Sequence, residues 1–166
     1  MIVVAELSNM APDCPQLAGA LDQLDENLAV IDARLPADAT MSADAGYLSV
    51  ENIARTAAHG LDAHIATGRQ KHSDPPPLSP RGRIPTDATP RQRMARKLKT
   101  KKGRAVYARR KVIVEPVFGQ MQTVQDAKQL LLRGEPAARA QWRFHCAVHN
   151  LLKLHRAGGL GLTQPA

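Results

Sequence analysis

Tyr107-Ala108-Arg109-Arg110-Lys111-Val112-Ile113-Val114-Glu115-Pro116-Val117-Phe118-Gly119-Gln120 sets a single carboxylate, Glu115, among cations and apolar residues. Tyr107, Lys111, Glu115, Phe118 and Gln122 are separated by four, four, three and four residues, so in a helix they share one side. Pro116 tests that reading. A proline in a helix interior costs about 3 kcal/mol, because it lacks a donor and clashes with the preceding turn, whereas the first helical position tolerates it. Either an extended Val112-Ile113-Val114 leads into a helix that starts near Glu115, or one continuous helix kinks at the proline; the second is expected. A fixed carboxylate in basic surroundings invites a metal or phosphate role. On residue chemistry alone, a solvated glutamate neutralising nearby arginines is the plainer reading.

Charge is split along the chain. Residues 1–67 hold two basic residues, Arg34 and Arg55, against ten acids, a net −8, and the remainder holds 21 basic residues against five acids, which gives the overall +8. Eleven Lys and Arg with no acid crowd into 91–111. At that density, phosphate attraction with counterion release is a plausible source of affinity, and nucleic acid becomes the leading partner; a solvated basic loop is the alternative.

Pattern divides the chain further. The short β-branched run Ile2–Leu7 predicts a strand, after which Asp13 caps a helix with Pro15 in its first turn and Leu17, Leu21, Leu24 and Leu28 along one stripe. A strand is expected at about 40–44, a helix from Ser49 to about His59 with Gly60 as its stop, and a strand over 62–67. Strand, helix, strand, helix, strand implies an α/β fold with a short parallel or mixed sheet and crossover helices. Prolines at 75, 76, 77, 80, 85 and 90 make 68–90 a connector or insertion without regular structure. Helix returns from Thr89 or Pro90 in two parts, about 91–100 and 103–128. A last helix over about 136–156 carries Phe144, Ala147, Val148, Leu151 and Leu152 on one face, and residues 158–166 form a flexible tail.

The remaining constellations favour structural roles. His145 and His149 sit four apart with His155 beyond, a spacing that admits zinc, but no Glu stands between them in the metalloprotease position, so helix packing is the plainer account. Trp142 reads as core or lid packing, and Gly158-Gly159-Leu160-Gly161 as a frayed tail. Two distant cysteines, Cys14 and Cys146, indicate neither a disulfide framework nor a zinc site and suit a reducing compartment. The apolar start Met1–Ala5 lacks the form of a secretory signal, and no run spans a bilayer, so a cytoplasmic protein with no membrane contact is expected.

Several separate stretches together resemble the C-terminal part of bacterial insertion-sequence transposases of the DDE class. They are Ala43-Asp44-Ala45-Gly46-Tyr47, Ile65–His72, Arg93–Leu98, Tyr107 with Val114–Gln120, Leu131–Gly134 and His149–Leu154, and the resemblance covers about 2–156. It implies an incomplete ribonuclease-H-like fold: a partial α/β core over 1–67, the connector at 68–90, and a basic helical part over 91–157 that carries the third acid. It implies three acids holding two Mg²⁺ (or Mn²⁺) ions roughly 3.5–4 Å apart, which activate the attacking oxygen and stabilise the leaving one. By motif, Asp44 matches the second acid and Glu115 the third. Tyr107 and Arg110 match the Tyr-Arg-Glu signature that sets phosphates beside the metals, a task that suits a bidentate guanidinium. The implied partner is transposon-end DNA, with Arg91, Arg93, Arg96, Lys97, Lys99, Lys101, Lys102, Arg109 and Arg110 as its phosphate contacts. No small-molecule cofactor is implied.

The chain departs from the family at three places. The first acid has no counterpart in it. Four residues separate Arg110 from Glu115 where the broader signature has three, which leaves Arg109 as an alternative arginine. The signature lysine is replaced by neutral Gln122. With two of three acids, catalysis by the chain stays an open question, and the expectation is a truncated transposase inactive on its own. The alternatives are a catalytically silent DNA-binding remnant, able to self-associate or join full-length transposase, and a relic without function.

Overall fold

A computed structural model describes residues 1–68 and 78–158. Parts of the Pro-rich connector, of the Ile65–His72 motif and of the glycine-rich tail lie outside them. Two compact units are present: one runs from Ala11 to Ile113, and the other joins Met1–Met10 to the chain from Val114 onward.

The 11–113 unit contains α1 (Gln16–Val30), β1 (Thr40–Ala43), a single 3₁₀ turn (Ala45–Tyr47), α2 (Val50–Ala58), β2 (Asp62–Ile65), α3 (Pro90–Lys99) and the first half of α4 (Lys101–Val124). β1 and β2 pair in parallel, with Met41 opposite Ala63 and Ala43 opposite Ile65, and α2 is the crossover between them. Local chemistry explains the helix limits. Ser49 Oγ accepts from the Asn52 amide at 2.9 Å, and Gly60, at φ +72°, ends α2 in the left-handed region. Thr89 and Gln92 form a reciprocal capping box, with Pro90 at the first turn of α3. Asp13 does not cap α1 with its side chain; Pro15 is the N-cap, and only the Asp13 carbonyl accepts from Gln16 N, at 3.0 Å.

Apolar packing gathers in two clusters. Leu17 and Leu21 of α1 pack with Leu61 and draw in Leu24, Leu35 and Ala39, whereas Ala63 and Ile65 of β2 pack with Met94 of α3 and with Ile53 and Leu98. Met41 and Tyr47 join both clusters, so the β1 strand and the turn after it are fixed from two directions. Gly103 lets α4 start tight against α3: a Cβ there would fall within the van der Waals shell of the Lys97 carbonyl oxygen.

The second unit consists of residues 1–10, the rest of α4, the 125–134 loop and α5 (Glu135–Arg156). Met121, Cys146 and His149 are its most buried side chains, and Phe118 stacks on Trp142 with ring centroids 6.3 Å apart. The expected strand at 2–7 is not formed, so the sheet among the described residues is two parallel strands rather than a three-stranded mixed one. Side chains of α5 replace the ladder. Asn150 accepts from the Ile2 N–H and donates to the Ile2 carbonyl, each at 2.7 Å, and Arg143 pairs with Glu6.

Two further expectations change. α4 runs continuously through Pro116, as expected, but it spans Lys101–Val124 rather than 103–128. The face of α5 named from its apolar pattern is not the buried one: Phe144 and Leu151 are 65% and 55% exposed, while Cys146 and His149 point inward.

Candidate functional site

Asp44 stands where β1 ends, and its neighbours hold it there. Its carbonyl accepts from Tyr47 N at 3.1 Å to start the 3₁₀ turn. Asn52, only 4% exposed, donates through Nδ2 to the Tyr47 carbonyl at 2.9 Å and to the Cys14 carbonyl at 2.8 Å, which ties the turn to the start of α1. Gly46 permits this approach, since a Cβ there would stand 2.6 Å from an Asp13 carboxylate oxygen. The sequence reading did not single out Asn52. Its signal is the Ser49-x-x-Asn52 spacing of a capping box, although the amide serves the preceding turn instead.

From α4, Arg110 reaches Asp44. One guanidinium nitrogen, Nη1, lies 2.9 Å from Oδ1 and 3.2 Å from Oδ2. The Arg110 carbon Cζ is 5.4 Å from the centroid of the Tyr107 ring, within cation–π range. Burial pushes the Tyr107 hydroxyl above its ordinary pKa; the Asp44 charge adds to this, and the Arg110 charge opposes it. Asp44, Tyr107 and Arg110 thus form one cluster, assembled across 66 residues of sequence. Arg109, the alternative arginine, is exposed on α4 and makes no contact with Asp44.

Glu115 is exposed on the later part of α4 and belongs to the other unit. Among the described residues no group of three or more His, Cys, Asp or Glu is arranged to hold a metal ion, His145 and His149 included. Both Asp44 oxygens are already engaged by a guanidinium. The Asp44 cluster by itself, one carboxylate with an arginine and a tyrosine, does not fit the two-metal centre that the family resemblance implies.

The basic run divides by contact. Arg91 donates to the Thr67 carbonyl at 3.0 Å, Arg93 to Ala88 and Thr86 at 2.9 and 2.8 Å, and Arg96 to the carbonyls of Arg81 and Gly82. Lys97 bridges the Asp62 carboxylate and the Ala63 carbonyl, and holds the Asp62 carboxyl below its ordinary pKa against the upward push of burial. These four cations, expected as phosphate contacts, are tied to protein acceptors. The side chains of Lys99, Lys101, Lys102, Arg109 and Lys111 make no hydrogen bond or ion pair among the described residues. At 100° per residue, Lys101, Lys102 and Arg109 fall within about 100° of the α4 circumference, on one face. A hollow of about 470 Å³ lined by Ile53, Ile84, Met94, Arg93 and Arg96 lies in the clamped region and includes none of Asp44, Tyr107 and Arg110.

No curated protein and no solved structure matches the chain. Residues 83–155 do match a family model, described as the transposase DDE domain, and the matched segment holds α3, α4 and nearly all of α5, together with Tyr107, Arg110 and Glu115. The match covers less than half of the chain and supports the resemblance seen in the motifs, with residues 83–155 similar to the transposase DDE domain.

Proposed function

We propose that the chain works in DNA transposition as a DNA-engaging part of a DDE-class transposase, and that these 166 residues by themselves do not carry out strand transfer. One observation carries the reading. The family match stops short of Asp44, yet Tyr107 and Arg110 from within the matched segment converge on that acid. A motif-derived pairing and a folded contact agree across 66 residues.

In this reading the face of Lys101, Lys102 and Arg109, with Lys99 and Lys111, takes the phosphates of transposon-end DNA. Arg110 with Tyr107 is placed to meet a phosphate next to Asp44. Relatives with all three acids use Mg²⁺ or Mn²⁺, as the resemblance implies; Asp44 and Glu115 are two of the three, and Gln122 in the lysine position offers a phosphate no charge. The proposal extends to a bacterial cytoplasmic setting and to assembly with itself or with full-length transposase. No helix among the described residues is long and apolar enough to cross a membrane.

The test incubates the purified chain with duplexes bearing the element's ends, in Mg²⁺ or Mn²⁺, and follows binding, nicking and joining. Salt-sensitive binding without nicking is expected. Metal-dependent joining that an Asp44→Ala change abolishes would overturn the inactive reading, and absence of DNA binding at low salt would overturn the transposition reading itself. The Arg110 contact at Asp44 supports a second description, a catalytically silent DNA-binding protein, for which binding would be indifferent to metal.

A further inference from the structure

Between the prolines at 80 and 85, Arg81 and Arg83 flank a glycine on the surface of the 11–113 unit. The backbone of this stretch is held from both sides. Arg96 of α3 donates to the carbonyls of Arg81 and Gly82, Arg93 donates to the Thr86 carbonyl at 2.8 Å, and Arg104 of α4 reaches the Ser79 hydroxyl at 3.2 Å. Ile84 lines the hollow beside Ile53 and Met94. The prolines fix two more backbone angles, so the stretch loses little further freedom when a ligand binds it. The anchors leave two side chains open: Arg81 and Arg83 are exposed, and neither guanidinium makes a hydrogen bond or ion pair among the described residues. The nearest acid in sequence, Asp87, pairs with neither. Arg91, Arg93 and Arg96, by contrast, all bond carbonyls.

Gly82 takes φ +76°, and a Cβ there would meet nothing within 4 Å, so the glycine answers the turn and not any crowding inside the protein. It also leaves bare backbone between two guanidiniums, free to close on a narrow surface. The minor groove of duplex DNA is about 6 Å wide; over A·T tracts it narrows further, concentrates negative potential and draws inserted arginines. Its floor there offers only acceptors, which suit a donor-only guanidinium, whereas a G·C pair adds an amino donor that opposes one. We propose that Arg81-Gly82-Arg83 is a minor-groove reader that gives the chain a preference for A·T-rich duplex DNA. This rests on the transposase reading for the choice of DNA as ligand. Lys101 and Lys102, open on α4, suit phosphates as point charges, while the planar guanidiniums at 81 and 83, more weakly hydrated, suit a groove that strips water from them.

The experiment measures fluorescence anisotropy of the whole chain on three labelled duplexes of equal length: A·T-rich, G·C-rich, and the G·C-rich sequence with inosine for guanine. Inosine removes the minor-groove amino group and leaves the major-groove edge as it was. The wild type is expected to bind the A·T and inosine duplexes about tenfold more tightly than the G·C duplex. Arg81→Lys with Arg83→Lys keeps the charge and the anchoring carbonyls, and should bind all three within about twofold of one another. Equal wild-type affinity for the three duplexes overturns the proposal, as does a preference that survives in the double variant. An A·T preference that inosine does not reproduce places the reading in the major groove and overturns it too. If the variant does not fold, netropsin, a polyamide that fills the A·T minor groove, decides with the wild type alone: it is expected to displace the chain from the A·T duplex, and undiminished binding overturns the proposal. Binding to no duplex at low salt overturns the transposase reading along with this one, whereas binding to all alike overturns this one alone.

Discussion

Replacing Arg93 and Arg96 together by alanine removes the guanidinium bonds to the carbonyls of Ala88, Thr86, Arg81 and Gly82. A bond from a charged donor contributes about 1.5–3 kcal/mol when sheltered. These sites are exposed and the freed carbonyls rehydrate, so about 1–2 kcal/mol for the pair is the expected loss. In a chain of this size that lowers Tm by roughly 2–8 °C. Lys101, Lys102 and Arg109, changed together to alanine, break no bond among the described residues and should leave Tm unaltered. DNA binding should show the opposite pattern. Each lost phosphate contact lowers the slope of log K against log salt by about 0.9, so the triple variant should lose about 2.7 from the slope and the Arg93, Arg96 variant almost nothing. Between 50 and 200 mM salt, that difference is about forty-fold in affinity. Fluorescence anisotropy on a labelled duplex at four salt concentrations, with thermal melts of each variant, measures both. A slope that falls with Arg93 and Arg96 while Tm holds would refute the division of the basic run into clamp and contact.

Asn52→Ala should cost about 2–4 kcal/mol in urea unfolding, because the carbonyls of Tyr47 and Cys14 lose a buried donor; a loss below about 1 kcal/mol would show that the turn at Asp44 does not depend on it. Gly103→Ala should destabilise the α3–α4 corner by about 1–3 kcal/mol, since its Cβ meets backbone at Lys97 rather than a yielding side chain, and an unchanged melting curve would contradict that packing. Burial depresses the pKa of His64 and of His149 below the ordinary 6.5, with Lys97 adding to the shift at His64 and Lys153 at His149. The unfolded chain therefore takes up protons first, so stability present above about pH 6.5 is lost as pH falls through the depressed folded values. Melts from pH 5 to 8 should show this, His149→Gln should flatten part of it, and a profile flat in the wild type would contradict it.

Elements whose limits rest on local chemistry were legible in the sequence. Ser49 with Gly60 bounds α2, and Thr89-Pro90 opens α3, because caps and breakers act within a few residues. The strand expected at 2–7 rested on β-branched propensity, which takes effect only where a neighbouring strand supplies the ladder. Here the Ile2 backbone groups bond to Asn150, 148 residues away, and no local pattern reports that. The apolar count on α5 failed for a related reason: burial of Cys146 and His149 depends on what packs against the helix. At the candidate site, motif resemblance named Asp44, Tyr107 and Arg110, and the fold brought those three together and preferred Arg110 over Arg109. A charge count could not distinguish Arg93, spent on carbonyls, from Lys101, which makes no bond among the described residues.

The anchoring of Ile2 by Asn150, and of Glu6 by Arg143, bears on the order in which the chain is made. Residues 2 and 6 leave the ribosome well before α5, the helix that carries their bonding partners. At roughly 5–20 residues per second, α5 follows the end of the 11–113 unit by several seconds. During that interval the β-branched stretch Ile2-Val3-Val4 lacks its α5 partners while the 11–113 unit already holds all of its own residues. Synthesis thus supplies the whole 11–113 unit before α5, and residues 1–10 wait for that helix.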